Sequence, residues 1–358
     1  MENGEERIPG QTVTPPSDVS LCSTVFNEAE SIESWLTSIM EQTRRPAEIV
    51  ICDAGSNDGT ADLIRNFESG QTEINLIIVE GANVPEGRNA AISAASHPTI
   101  AITDAGTVLD DDWLEKLLRP LESQPELAVS AGFYRPAGRN QFERVLATVI
   151  TPRRHELAAD GFPPSSRSIA FRRDWWEKVG GYPEWLRAGE DLVFDFRLRD
   201  EGAEFEFADE AIVSWYPRPT LKGFFDQYRH YARGDGHGHL FTARHAVRYG
   251  AYASGLILLA ASRRHRLPRI LLGVGFFAYM KKFFGRVFDG QPYEETSGAL
   301  VAYALVPVIV VTGDVGKMIG YPQGLIERRR AGGPEGLKDA RIRSHRDQQA
   351  KSGSVDKI

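Results

Sequence analysis

The chain has 358 residues, of which 42% are hydrophobic and 25% charged. These proportions exclude wholesale disorder and collagen-like repetition, and at about 150 residues per domain they allow two to three units. Two cysteines are too few for a secreted disulfide scaffold or a four-cysteine zinc site, and a net charge of −7 argues against a basic nucleic-acid binder.

Residues 1–18 are polar, acidic and proline-containing, and read as a flexible tail. They lack the basic start and apolar run of a secretory signal, which places the acidic part of the chain in the cytoplasm. From Val19 short apolar runs alternate with helical stretches. Val19–Val25, Glu48–Cys52, Ile74–Val79 and Thr99–Thr103 read as buried strands. Between them lie helices over Glu28–Gln42, about Asp58–Phe67 and Glu86–Ala95. Asp110 is expected to cap the next helix, which carries Trp113, Leu114, Leu117 and Leu121 at helical spacing. This order implies an α/β fold with a mainly parallel sheet and right-handed crossovers. Leu127–Tyr134, Ser168–Phe171, Phe205–Ala208 and Ala211–Trp215 extend it as mixed strands, and the domain is expected to span 19–240. Cys22 and Cys52 fall in core strands and are expected to be buried free thiols.

Charge divides the chain. Residues 1–240 hold 23 basic and 40 acidic side chains, while 241–358 hold 19 and 9. Three apolar segments follow residue 240: Tyr249–Ala261, Leu267–Met280 and Gly298–Gly313. Extended to 267–284 and 298–319, the last two approach spanning length. Arg263, Arg264, Arg266 and Arg269 precede the second segment, and Arg328, Arg329 and Arg330 follow the third. Placing both clusters inside predicts two spanning helices, an interfacial first segment, and membrane lipid as a partner of a region 241–330. A buried helical subdomain is the soluble alternative. The polar tail 331–358 is expected to be loose.

Chemistry gathers just past the carboxyl ends of strands, where α/β sheets place their ligands. Strand one runs into Asn27 and Glu28, strand two into Asp53 and the Gly-Ser-Asn-Asp58 loop, and strand four into Asp104. Arg88 opens the helix before strand four. Singly, each of these is an ordinary turn, cap or surface residue. Three acidic strand ends with an arginine opposite point to a polar, phosphate-bearing ligand. Neither a G-x-G-x-x-G after strand one nor a G-x-x-x-x-G-K-[ST] loop occurs, so hydride-transfer and P-loop readings lack their phosphate cradle.

In order along the chain stand Val25-Phe26-Asn27-Glu28, the Asp53–Thr60 loop, Arg88-Asn89, Asp104, Ala170-Phe171-Arg172-Arg173, Gly180-Gly181-Tyr182-Pro183-Glu184 and Gly189-Glu190-Asp191. The ordered set resembles the family 2 glycosyltransferases, inverting enzymes of the GT-A fold, over Val19 to Leu240. The resemblance implies a nucleoside-diphosphate sugar donor, with Asn27, Glu28, Asp53 and Asp58 around the nucleotide, Arg88 near the diphosphate, and Asp104 opening the metal-binding acidic motif. It assigns Glu190 and Asp191 as the pair supplying the catalytic base, with Asp191 at a helix amino end that favours its ionised form. A lipid-linked or growing glycan acceptor follows from the apolar back half, and Ser165, Ser166 and Arg167 are expected to face it.

One departure matters. The acidic motif of the family reads D-x-D, but here Ala105 and Gly106 follow Asp104, which weakens the expectation of Mg²⁺ or Mn²⁺. His237 and His239 are candidate substitute ligands, although a glycine-rich exit from the domain explains them as well. Gln227 to Arg233 loosely resembles the Q-x-x-R-W segment of processive members, with His230 and Tyr231 at the arginine and tryptophan positions. Phe224, Phe225, Tyr228 and Tyr231 are expected either at a membrane surface or in a core. Two other readings remain: a membrane-tethered scaffold that lost catalysis, and a sugar-nucleotide pyrophosphorylase. The latter would need a basic glycine loop where Phe26-Asn27-Glu28 stands.

Overall fold

The computed structural model describes residues 17–331, apart from 71, 154, 155, 157–163, 294 and 295. Most of both expected terminal tails therefore lies outside the described residues. The first half alternates as its apolar runs dictate: β1 (Ser17–Val25), α1 (Ile32–Met40), β2 (Pro46–Asp53), α2 (Thr60–Asn66), β3 (Glu73–Ile78), α3 (Val84–Ala94) and β4 (Thr99–Ile102). These strands pair in parallel, β2 between β3 and β1, and β1 between β2 and β4. They are apolar on both faces because helices cover both. Leu21, Ile49, Ile51 and Ala101 pack with Trp35 and Leu36 on one side, and Cys22, Val50, Cys52, Ile100 and Ile102 with Ala91 and Ile92 on the other. Both thiols are free, and burial pushes them up, Cys52 to about 11, so neither is a thiolate at neutral pH.

The second half adds β5 (Thr107–Leu109), α4 (Trp113–Ser123), β6 (Val129–Pro136), α5 (Gln141–Ile150), β7 (Ile169–Arg172), α6 (Arg173–Val179), α7 (Glu190–Asp200) and β8 (Phe205–Trp215). The sheet runs β3-β2-β1-β4-β7-β6-β8-β5, with β7 antiparallel to both its neighbours and β5 antiparallel to β8. The two strands expected over 205–215 are one strand, whose pairing with β6 slips between Ala131 and Phe133. Asp110 does not cap α4. Its carboxylate accepts from Arg135 Nη2 at 2.7 Å, because β5 carries the chain to the sheet's far edge first, and Asp112 stands at the N-cap.

The remaining described helices are α8 (Leu221–Gly238), α9 (Thr242–Ala261), α10 (Arg266–Gly290) and α11 (Thr296–Arg330). Among the described residues one helix, over Gly298–Arg330, is long and apolar enough to cross a membrane. The expected two-span count is not supported. Charges at Arg266, Arg269, Lys281, Lys282 and Arg286 leave α10 only the uncharged stretch Ile270–Met280. The division expected at residue 240 falls between α8 and α9, yet a shared core crosses it: Val145, Leu146 and Phe224 pack with Met280, Val287, Val306 and Ile309. Phe224 is thus a core residue, 1% exposed.

Backbones of α8 and α11 meet through glycine. A Cβ on Gly320 would strike the Arg229 carbonyl, one on Gly324 the Arg233 carbonyl, and one on Gly236 the Tyr321 carbonyl. Gly255 on α9 has open space instead. Gly255→Ala should therefore raise the midpoint of thermal unfolding, as helix propensity favours alanine by about 1 kcal/mol. Gly320→Ala should lower it despite the same propensity gain, since backbone cannot yield and overpacking costs about 1–3 kcal/mol. Equal shifts for the two variants would show that the α8–α11 contact is not close.

Candidate functional site

Register brings the expected strand ends to one edge. Val25 lies opposite Asp53 and Cys22 opposite Ile102, so Asn27, Asp53 and Asp104 all leave the sheet on the same side. The Asp53 side chain is buried, with Oδ1 accepting from the Gly55 amide at 3.0 Å, the Ser56 amide at 2.8 Å and Ser56 Oγ at 2.7 Å. Gly55 takes φ 90°, a conformation that side chains rarely adopt, to aim these amides. Asp53 Oδ2 is buried without a partner. It belongs to an open crevice of about 350 Å³ whose lining includes Ser56, Asn57, Arg65, Ile78 and Glu80.

Asn27, Glu28 and Asp58 shape this crevice and do not line it. Asn27 Oδ1 accepts from the Asn57 amide at 3.0 Å, while its own amide donates to Ser56 Oγ at 2.8 Å. The Glu28 carboxylate accepts from Ser31 Oγ at 2.6 Å at the start of α1. Asp58 accepts from the Thr60 hydroxyl and amide and from the Ala29 amide, and the Thr60 hydroxyl bond leads in holding its carboxyl below the usual range. The Glu28 carboxylate is thus engaged by a side-chain hydroxyl, while the Asp58 oxygens satisfy backbone amides of two adjoining turns.

Arg88 forms the second part of the site. Asn83 and Glu86 make a reciprocal capping box for α3, and Gly87 lets that helix press on Thr24, where any Cβ would collide. Arg88, 5% exposed, donates through Nη1 to Glu190 Oε1 at 2.7 Å and through Nη2 to Asp104 Oδ1 at 2.9 Å. Its guanidinium lies 5.5 Å from the Tyr182 ring centroid. Burial disfavours its charge, but Asp104 and then Glu190 outweigh that and raise its pKa. Arg88 thus has both terminal nitrogens on carboxylates and acts as a bridge between β4 and α7.

Glu190 and Asp191 open α7 behind Gly189, which caps the helix at φ 76°. Burial, then Asp191, pushes the Glu190 carboxyl up against the pull of Arg88. The Asp191 carboxylate accepts from the Leu192 amide at 2.9 Å. One turn on, Asp195 is 3% exposed with Oδ2 unpartnered, and burial followed by Asp191 raises its pKa well above the ordinary value. The sequence reading missed Asp195, although its i+4 spacing from Asp191 was the available signal.

Ser165, Ser166 and Arg167 divide. Ser166 is 2% exposed and shares a hydrogen bond of 3.0 Å with the Tyr182 hydroxyl, so its expected place in the cleft is corrected to the core. Arg167 faces Asp104, with Nε 3.8 Å from Oδ2, among Tyr134, Trp215 and Tyr231. Ser165 Oγ accepts from Arg167 Nη1 at 3.2 Å. That aromatic surround carried no sequence signal beyond the loose Tyr231 correspondence.

Asp104 is the one acidic side chain of its motif. At Gly106 a Cβ would meet open space, so the second acid is missing where there is room for it. Both Asp104 oxygens face arginines, and no group of three or more His, Cys, Asp or Glu that could hold a metal occurs among the described residues. By themselves these residues do not fit a resident divalent cation. His237 and His239 do not mend the gap. The His237 ring packs on Trp185 at 5.3 Å and its carbonyl accepts from Arg328, while His239 ends α8 at φ 58°.

Residues 20–180 match the family model "Glycosyl transferase family 2". Among curated proteins, glycosyltransferase AglE of Haloferax volcanii is 26% identical over 59% of this chain and 71% of its own length. Succinoglycan biosynthesis protein ExoA of Rhizobium meliloti is 28% identical over 58% and 66%. Poly-beta-1,6-N-acetyl-D-glucosamine synthase of Staphylococcus epidermidis is 23% identical over 60% and 54%, so the match spans about half of that protein. Among solved structures, mannosyltransferase PcManGT of Pyrobaculum calidifontis, in complex with GDP-Man and Mn2+, superposes with a TM-score of 0.50 at 18% identity, over 92% of this chain and 91% of that one, which shows a shared fold. The matched stretch runs from β1 to the end of α6, and these residues, 20–180, are the part of the chain that is similar to the family 2 glycosyltransferases.

Proposed function

We propose that the chain transfers a sugar, with inversion, from a nucleoside-diphosphate donor to a hydroxyl of a lipid-linked or growing glycan. The observation that carries this is the Arg88 bridge. It joins Asp104, at the strand end, to Glu190 beside Asp191, so donor edge and base are parts of one site. The nucleotide lies in the Asp53 crevice, where the unpartnered Oδ2 meets a donor group of the base. As the acceptor oxygen bonds to the anomeric carbon, the bond to the diphosphate breaks and the proton passes to the Asp191 carboxylate. Glu190, held by Arg88, positions that helix end and does not receive the proton. A divalent cation is compatible with the fold; Asp104, the one acid of its motif, would face it, and it would ease the charge on the departing diphosphate.

The membrane reading rests on exposed apolar side chains. Leu256, Ile257, Leu267, Ile270, Val274 and Phe277 on α9 and α10 are all more than half exposed or nearly so, and Arg263, Arg264, Arg266 and Arg269 crowd the turn joining these helices. An apolar helix pair tipped with arginine suits an anionic, cytoplasm-facing bilayer surface.

Three outcomes test the reading. Asp191→Asn should lower transfer about 10²- to 10⁴-fold while nucleoside-diphosphate binding, followed calorimetrically, stays intact. Retained transfer would remove Asp191 as base. Because the folded pKa of Asp195 is raised, its contribution to stability declines as pH rises above the ordinary carboxylate range. The melting advantage of Asp195→Asn over the parent should accordingly widen from pH 4 to pH 8, and a gap that stays constant would refute the assignment. Finally, the protein should float with vesicles rich in phosphatidylserine. Replacing the four arginines of the α9–α10 turn with glutamine should weaken that binding by about 1 kcal/mol per charge, with equal flotation as the contrary result.

A further inference from the structure

Two arginines face Asp104, and their circumstances differ. Arg88 has both terminal nitrogens on carboxylate oxygens, at 2.7 and 2.9 Å. Arg167 has its nearest carboxylate oxygen at 3.8 Å, beyond hydrogen-bonding distance. Its hydrogen bonds among the described residues go to neutral hydroxyls, Ser165 at 3.2 Å and Tyr231 at 3.4 Å, both long. Its Nε is buried with no hydrogen-bond partner at all. A guanidinium offers five donors in a rigid fork, and this side chain, 22% exposed, leaves most of them without a protein acceptor and open to an anion. The rings of Trp215 and Tyr134, at 5.1 and 5.6 Å, hold the cation in place without consuming donors.

We propose that Arg167 is the phosphoryl-binding residue of this site. The inference rests on the donor reading above and deepens it. A phosphoryl group presents several oxygens to a planar fork and matches the unfilled donors better than a neutral sugar does. The place is right for such a group, since Arg167 stands against Asp104 and feels the charge of Asp191. Where Gly106 replaces the second acid of the motif, a fixed arginine supplies the positive charge that the departing diphosphate needs. The phosphoryl oxygens come either from that diphosphate or from a phosphate on the acceptor lipid.

The test uses the full chain in EDTA, with binding read by calorimetry. The probes are pyrophosphate, UDP, GDP, ADP and CDP with their parent nucleosides, and farnesyl phosphate against farnesol in detergent. Arg167→Gln should weaken whichever phosphate-bearing probe the site uses by about 10- to 100-fold, with the phosphate-free counterpart unchanged. Arg167→Lys, which keeps charge but loses the fork, should lie between, and Tyr231→Phe should cost a few-fold. These two variants serve should the glutamine variant fail to fold. Loss confined to the diphosphates assigns the donor as source, and loss confined to farnesyl phosphate assigns the acceptor. Phosphate preference unchanged in all variants overturns the proposal. A parent protein that binds no nucleoside diphosphate overturns the donor reading instead, and the farnesyl pair then still decides whether Arg167 reads phosphate.

Discussion

The site depends on one buried cation. Arg88 lies under the sheet edge with almost no access to water, and a guanidinium there is tolerable only with carboxylates on its fork. Asp104 and Glu190 supply them from opposite sides, one from the end of β4 and one from the first turn of α7. The two residues are 86 positions apart in sequence (104 to 190), and Arg88 joins them directly. Gly87 makes this possible, since only a residue without a Cβ lets α3 press on Thr24 and deliver Arg88 to that depth. The geometry between the end of β4 and the first turn of α7 is thereby fixed by an ion pair that would be costly to open. Arg88 is accordingly an organiser of the candidate site.

The parallel half of the fold was legible because its physics is local. Runs such as Glu48–Cys52 and Thr99–Thr103 are apolar on both faces, which only a strand covered by helices on each side explains. The missed elements are short or depend on distant partners. β5 has three residues and exists as a strand only by pairing with β8, and α5 is stabilised by helices more than a hundred residues later. Asp53 was legible as a strand-end carboxylate, and the structure places it at an open crevice. Glu28 and Asp58 look the same in sequence, and only the structure shows that Glu28 accepts from the Ser31 hydroxyl while Asp58 accepts from the Thr60 hydroxyl and the Ala29 amide. Ser166 misled for a related reason: alternation about Arg167 turns one neighbour outward and the other toward Tyr182.

Among the helices beyond residue 240, apolarity alone misassigned the number of spans. Apolar side chains on α11 serve two surroundings, for Val306 and Ile309 are fully buried against protein while Leu300 and Val301 are exposed. A hydropathy reading cannot separate these, because burial in protein and burial in lipid select the same residues. What distinguishes them is the glycine spacing at 313, 316, 320 and 324, which marks the face where α11 meets α8.

That contact ties α11 to the candidate site. α8 presents Tyr231 to Arg167 on the cleft side, and Gln227 Nε2 donates to the same hydroxyl at 2.9 Å. On its other side the backbone carbonyls of Phe225, Arg229 and Arg233 lie against the glycines of α11. A helix gripped this closely has little freedom to slide, since a shift along α11 would drive side chains into carbonyl oxygens. The segment that resembles the acceptor-side motif of processive relatives is therefore held at a fixed height relative to α11. The height of Tyr231 beside Arg167 is then set by α11 itself, so one rigid helix pair fixes a wall of the candidate cleft.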